Sequence, residues 1–318
     1  ETIVYDLALK KFKKSFRTLI KPFSNNKFSK DEFTNITSKV ISNSTLGLRK
    51  FGLFLSGGID SSLIAYELNK HIDDLNTFTN KVEPNVIING EDHNSDADIA
   101  KKFASSLGLN HKEVKITPEI IVEEWDKANW TIEEPRYNWN LPMYYFTNKF
   151  LNKNNIIVTM SGDIGDEILG GYQQYINMKK MKNKPKTWRD FLKIWSKKFF
   201  APIKLNIKFN QNDLVDILEK ILPEEIWNPE DIANSAMALD CITTVSEDFF
   251  SRNDRYGMAF SMEGRFPLAS KDYMQYCLSI NSDYKFGSGD NETKFPVRTS
   301  YPVSYTHLRA HETPEHRG

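Results

Sequence analysis

Two short turns hold the side chains best suited to chemistry, and each follows a short apolar run. Phe51 to Leu55 leads into Ser56-Gly57-Gly58-Ile59-Asp60-Ser61-Ser62, and Ile156 to Met160 leads into Ser161-Gly162-Asp163-Ile164-Gly165-Asp166-Glu167. In the first turn, adjacent glycines let backbone amides close on an anion. Ser56, Ser61 and Ser62 add hydroxyl donors, and the helix that follows contributes its positive end. Phosphate or pyrophosphate is the ligand that fits. No lysine follows the glycines, so this is not a Walker A loop, and the spacing is not GxGxxG. A serine-capped strand-to-helix turn is the blander account of the first motif. An acidic first helical turn that complements the helix dipole is the blander account of the second. Both lose ground because the two motifs occur together.

The elements that must position these turns alternate. Phe51 to Leu55 precedes a helical stretch from Ser61 to Lys70, and Ile156 to Met160 precedes one from Asp166 to Tyr175, a pattern that predicts an α/β fold with a parallel sheet flanked by helices. Ligands bind such sheets at the carboxyl ends of the strands, where both turns fall. Asp96 to Leu107 has helical periodicity and stops at Gly108. From Trp188 onward the patterns are mostly helical. Residues Glu1 to Lys50 read as a helical lead-in, with Leu7, Phe12, Phe16, Leu19 and Ile20 at helical spacings and a break at Ser24 to Lys30.

The 318 residues, 40% hydrophobic, can bury one large core or two smaller ones. Forty-two basic residues balance 42 acidic ones, which excludes whole-chain attraction to nucleic acid or to an anionic membrane. No apolar stretch is long enough to cross a bilayer, and Lys10, Lys11, Lys13 and Lys14 interrupt any secretory signal, so a cytoplasmic protein is expected. Cys241 and Cys277 lie far apart without a CxxC spacing and read as buried small hydrophobes. The lysine-rich stretch from Lys179 to Lys208 is interleaved with Trp188, Phe191, Trp195, Phe199 and Phe200. That mixture can suggest nucleic-acid binding, but the helical spacing of its aromatics favours a half-buried helix with a solvated basic face. His93 and His111 have no partner at metal-ligand spacing and read as surface or capping residues.

Ser56 to Ser62 resembles the SGGxDS signature of the PP-loop ATP pyrophosphatases, an adenine nucleotide alpha hydrolase-like fold, and Leu53 to Ala65 is similar to asparagine synthetases. Ser161 to Tyr172 resembles the SGEGSDExFGGY segment of asparagine and β-lactam synthetases. The resemblance implies that Leu55, Ser56, Gly57, Gly58, Asp60, Ser61, Ser62, Ser161 and Gly162 hold the ATP pyrophosphate. It implies Asp60 and Asp166 as Mg2+ ligands, with Glu167 in support, a use of one or two carboxylates that suits magnesium on phosphate oxygens. Asp163 stands where the family usually has a glutamate implicated in handling the proton of the incoming amine. Asp254 to Pro267 is similar to DRxSMAxSLExRxP, with Gly257 where serine is common. Glu263 and Arg265 then support the nucleotide site, and a structural salt bridge between them is an open alternative. On its own this segment reads as a helix with a surface acid and base. Asn291 to Arg298 resembles the TKxxLR stretch, which implies Lys294 as the cation that neutralises charge on the α-phosphate. Pro296 departs from that stretch, because proline disfavours a helix interior. Glu133-Glu134-Pro135 and Leu141 to Tyr145 resemble the region lining the acid pocket, where Arg136 is either a carboxylate partner or a plain rim residue.

The resemblance implies asparagine synthesis from aspartate through β-aspartyl-AMP, with ATP and Mg2+, nitrogen from glutamine-derived or free ammonia, and release of AMP and pyrophosphate. A related amidotransferase or β-lactam synthetase-like ligase on another acid is the first alternative. An ATP-binding remnant without catalysis is the second, motivated by Asp163, Gly257 and Pro296. A tRNA-thiolating enzyme is disfavoured by the lack of CxxC. The expected organisation is residues 1–50 as the remnant of a linker to a glutaminase domain of the full-length chain, and residues 51–302 as the synthetase domain. Residues 303–318 are expected to be a non-biological tail, since Val303 to Thr313 resembles a translated sequencing adapter, and no function is drawn from His307 and His311. Neither nucleic acid nor membrane is an expected partner, and a homodimer is left open.

Overall fold

The computed structural model describes residues 2–6, 11–15, 26–47, 50–85, 87–88, 91–92, 94–134, 138, 140–197, 210–287 and 292–301. Strands β1 (Thr2–Asp6) and β2 (Lys11–Ser15) pair antiparallel, Thr2 opposite Ser15. Among the described residues of the lead-in, helix is found only over Lys30–Asn43, where Ser29 caps the first turn by accepting from the Glu32 amide. Over residues 2–6 and 11–15 the helical reading is corrected, and Ile3, Val4 and Tyr5 are residue types that favour a strand; Leu7, Phe16, Leu19 and Ile20 lie outside the described residues.

The central sheet contains β3 (Phe51–Phe54), β4 (Asn76–Val82), β7 (Asn110–Ile116), β8 (Val158–Met160) and β9 (Glu263–Arg265). A separate two-residue ladder joins β5 (Ile87–Ile88) to β6 (Glu91–Asp92). The central order is β7-β4-β3-β8-β9, and every pairing is parallel. The expected α/β architecture is present, and the described residues beyond Trp188 are mostly helical. Moving outward from β3, the chain first fills one side of the sheet and then crosses to β8 on the other. The β3/β8 gap is therefore the topological switch point, where loops diverge and leave a crevice. Apolar clusters cover both faces. Leu53, Leu63, Ile64, Met160 and Ile168 join the large core with the C-terminal helices, while Phe78, Val114, Ile116, Leu151 and Ile156 form a second core.

Several elements differ from the sequence reading. The stretch from Asp166 to Tyr175 is two helices, Gly165–Leu169 and Gln173–Lys179, broken at Gly170-Gly171. Asp254 to Pro267 is not one helix, because the helix Ser251–Met258 ends before β9, which adds the fifth strand. His111 is a strand residue bonded through Nδ1 to Thr77 Oγ1 at 2.9 Å, and burial lowers its pKa. Pro296 falls in the first turn of the helix Phe295–Ser300, where an amide hydrogen has no intrahelical partner to lose. The aromatic reading holds over the helix Trp188–Trp195, whose buried side is Trp188, Phe191, Leu192 and Trp195, while Phe199 and Phe200 lie outside the described residues. Both cysteines are buried and free, with the Cys277 thiol pushed by burial to about 12. His93, Arg136 and residues 303–318 lie outside the described residues. Among the described residues, no helix is long and apolar enough to cross a membrane.

Candidate active site

The Ser56–Ser62 turn leaves β3 and enters the helix Ile59–Leu68, whose N-cap is Gly58 with no side-chain cap bond. A helix start without a side-chain cap can turn its first amides to an anion, which is the physical basis of anion binding there. Serines brace the turn from within. Ser61 Oγ accepts from the Ser56 amide at 3.1 Å and donates to the Gly58 carbonyl at 3.1 Å, while the Ser56 and Ser61 hydroxyls lie 3.0 Å apart. The second turn leaves β8 beside it, because Leu53 pairs with Met160 in register.

The two turns meet. Lys294 Nζ contacts Asp60 Oδ2 and lies 2.7 Å from Asp166 Oδ1, so one ammonium touches an acid from each motif. Glycine makes this packing possible. A Cβ built on Gly165 would lie 2.3 Å from Asp60 Cγ, and one on Gly171 would lie 1.6 Å from Asp166 Oδ1. Lys294 and Ile164 both adopt left-handed backbone, at φ +54° and +76°. Strain of that kind at a side chain other than glycine persists only where surrounding packing enforces it.

A cleft of about 600 Å³ opens over these groups. Leu55, Ser56, Gly58, Asp60, Ser61, Ser161, Gly162, Asp163, Asp166, Glu167 and Lys294 line it. Gly57 and Ser62 do not line it. Ser62 is fully buried behind the turn. The Glu263 and Arg265 side chains also lie outside the cleft and pair with each other at 2.8 Å. Arg265 Nη1 donates to the Ser44 and Leu46 carbonyls, both at 2.8 Å, and its own carbonyl accepts from the Ser161 amide at 3.3 Å. The salt-bridge alternative therefore describes these two side chains, and their strand reaches the site through its backbone.

Charge in the cleft is concentrated and poorly solvated. Burial pulls the Lys294 ammonium down, but the Asp166 and Asp60 charges override it and hold its pKa above the ordinary lysine value. Burial, with the Asp166 charge, pushes Glu167 up to about 8, and Tyr172 donates to Glu167 Oε1 at 3.0 Å. Burial also raises Asp163, against the hydrogen bonds that Ser161 Oγ and Asn253 Nδ2 donate to its Oδ2 at 2.8 and 2.7 Å. Two carboxylates in reach of one cation match Mg2+ that is shared with nucleotide phosphates. Among the described residues no group of three or more His, Cys, Asp or Glu could cage a metal by itself.

Sequence reasoning missed part of the lining, including Thr79, Asn80, Asp248 and Arg252, whereas Tyr144, from the Leu141 to Tyr145 segment expected at the acid pocket, does line the cleft. Thr79 and Asn80 lie on β4, whose polar residues gave no strand signal. Arg252 and Asn253 stand just ahead of the segment recognised from Asp254 onward.

The asparagine synthase family model matches residues 39–301. The chain belongs to that family. Asparagine synthetase [glutamine-hydrolyzing] 1 of Bacillus subtilis is 33% identical over 125 residues, 39% of this chain and 18% of that protein. A putative asparagine synthetase [glutamine-hydrolyzing] 2 of Methanocaldococcus jannaschii is 26% identical over 198 residues, 60% of this chain and 35% of that protein. The chain thus matches well under half the length of either relative. The solved U34-tRNA thiolase NcsA of Methanococcus maripaludis superposes with a TM-score of 0.33 and 17% identity, covering 74% of this chain and 82% of that one. No functional statement follows from a likeness at that level.

Proposed function

We propose that this family member is an AMP-forming carbon–nitrogen ligase of the PP-loop type that makes asparagine from aspartate and ATP. The observation that carries this reading is the meeting of Asp60, Asp166 and Lys294 beside the Ser56–Ser62 turn in one cleft. The turn binds the β- and γ-phosphates through its amides and hydroxyls. Asp60 and Asp166 would hold Mg2+, which supplies positive charge to the phosphate oxygens when bound.

An oxygen of the aspartate β-carboxylate attacks the α-phosphorus. The bond from that phosphorus to the bridging oxygen breaks, and pyrophosphate leaves with the electron pair. Lys294 neutralises charge as it grows on the α-phosphate, a preorganised electrostatic contribution. Ammonia then attacks the acyl carbon of β-aspartyl-AMP, AMP leaves, and Asp163 takes the proton lost by nitrogen. Glu167 and Tyr172 brace the acidic helix, and the protein otherwise supplies orientation. Both relatives' names state glutamine hydrolysis. Accordingly, we take the ammonia to come from glutamine through a glutaminase domain of the full-length protein, in the cytoplasm.

The test is isotope exchange between pyrophosphate and ATP in the full-length protein. Exchange that requires L-aspartate and divalent magnesium is expected. Exchange supported by another carboxylic acid and not by aspartate would transfer the reading to a different acceptor, and exchange with no acid would refute adenylation.

A further inference from the structure

The same cleft holds a charged pair that neither turn contains. Arg252 is more than nine-tenths buried, yet it lines the cleft. Its guanidinium carbon lies 4.5 Å from the Tyr144 ring centroid and 5.4 Å from that of Phe249. Stacking on aromatic faces leaves the edge of a guanidinium, with its donors, directed elsewhere. Those donors are underused: Nε has no hydrogen-bond partner among the described residues, and Nη1 lies 3.5 Å from Asp248 Oδ1, beyond a normal charge-assisted bond. A buried cation with idle donors is costly unless a ligand completes it.

The local backbone places the pair. The helix Ile232–Asp240 runs into a π-type segment, Cys241–Phe250, and then into Ser251–Met258. Wide helical turns of this kind recur at functional sites because they re-aim side chains. Here Asp248, Phe249, Arg252 and Asn253 all line the cleft, and the Asn253 bond ties this wall to Asp163 in the acidic turn. Asp248 is more open than its neighbour, with 38% of its side chain exposed.

A planar fork of donors complements a carboxylate, and an adjacent partly exposed carboxylate complements an ammonium. We propose that Arg252 binds the α-carboxylate and Asp248 the α-ammonium of the acceptor acid, so that the cleft selects a zwitterionic α-amino acid and presents its side-chain carboxylate for activation. The assignment rests on the adenylation reading above and names what recognises the acceptor. Both residues are specificity determinants, remote from the phosphate-binding turn in sequence.

Pyrophosphate–ATP exchange with three acids tests this in the unaltered full-length protein. L-Aspartate carries both groups, succinate lacks the ammonium, and β-alanine lacks the α-carboxylate. Relative to aspartate, kcat/KM is expected to fall about 100-fold for β-alanine and about 10-fold for succinate, the size of losing a buried charged contact and a more exposed one. Arg252→Gln should raise the KM for aspartate about 100-fold, with Arg252→Lys intermediate. Asp248→Asn should weaken aspartate but not succinate. ATP affinity, measured by calorimetry, should stay within about twofold in all three variants. Equal use of aspartate and β-alanine by the unaltered protein would overturn the assignment, as would an Arg252→Gln variant that folds, binds ATP and keeps its KM for aspartate. Exchange with none of the three acids would instead remove the aspartate reading on which the assignment rests.

Discussion

Two buried lysines stand close in sequence and serve opposite ends. Lys285 is fully enclosed in the helical half, where its Nζ donates to the Ile168 carbonyl at 2.9 Å and to Asn234 Oδ1 at 2.6 Å. These are neutral partners, and burial pulls its pKa down to about 8. Lys294, buried in the cleft, meets Asp60 and Asp166, and its pKa is raised. Burial penalises an ammonium in both places, and the difference lies in what surrounds it. Neutral acceptors hold the Lys285 side chain in position without securing its charge. Two carboxylates secure the charge on Lys294 and leave an excess of negative charge that a metal–nucleotide complex can meet.

The largest expected effect separates these lysines by function. Lys294→Met should reduce aspartate-dependent exchange about 1000-fold, or about 4 kcal/mol of transition-state stabilisation, because the charge that meets the α-phosphate is gone. Lys285→Met, which touches no cleft group, should leave exchange within about threefold. Rates of the two variants measured side by side decide it, and equal losses would erase the distinction.

The second effect is one of pH. Lys285 falls from 10.5 to about 8 on folding, so between those values the unfolded chain binds more protons than the folded one. Its contribution to stability therefore rises with pH across that window, by on the order of 3 kcal/mol. Methionine has no proton to lose. Denaturant unfolding should find Lys285→Met within about 1 kcal/mol of the parent at pH 7, where the lost hydrogen bonds and the relieved buried charge nearly cancel. The parent should gain the advantage as pH rises above 8, and parallel curves up to pH 10 would show that Lys285 does not titrate there.

How much of this was legible follows from where the signals were local. β3 and β8 are apolar runs ending in turns with unusual composition, so strand, turn and ligand class could be read together. β4 and β7 could not, because Asn76, Thr77, Asn110 and His111 are polar. They form strands through cross-strand bonds such as Asn110 Nδ2 to Asn76 Oδ1 at 3.0 Å, which exist only after the sheet assembles. β9 was hidden for a related reason: Glu263-Gly264-Arg265 has no strand composition and pairs because the preceding helix delivers it to the exposed edge of β8. Arg252 was missed because it stands two residues ahead of the segment recognised from Asp254, and its place over the Tyr144 ring exists only after tertiary packing. Lys294 could be named from the family pattern, whereas its contact with both acids depends on tertiary packing.

The smallest expected effect concerns the other arginine, and it sharpens the contrast between structural and functional charge. Arg265 pairs with Glu263 and holds the Ser44 and Leu46 carbonyls at the end of the helix Lys30–Asn43, while its side chain stays out of the cleft. Glu263 is largely exposed, so solvent screens the ion pair and it adds little. The two carbonyl bonds carry most of the effect. Arg265→Gln should therefore lower stability by about 1 kcal/mol and leave the KM values for ATP and aspartate within about twofold. An unfolding curve with the two Michaelis constants checks both halves of that statement. A raised KM for ATP with unchanged stability would mean that β9 transmits the Arg265 side chain's position through the Ser161 amide to the acidic turn, and that Arg265 belongs with the cleft after all.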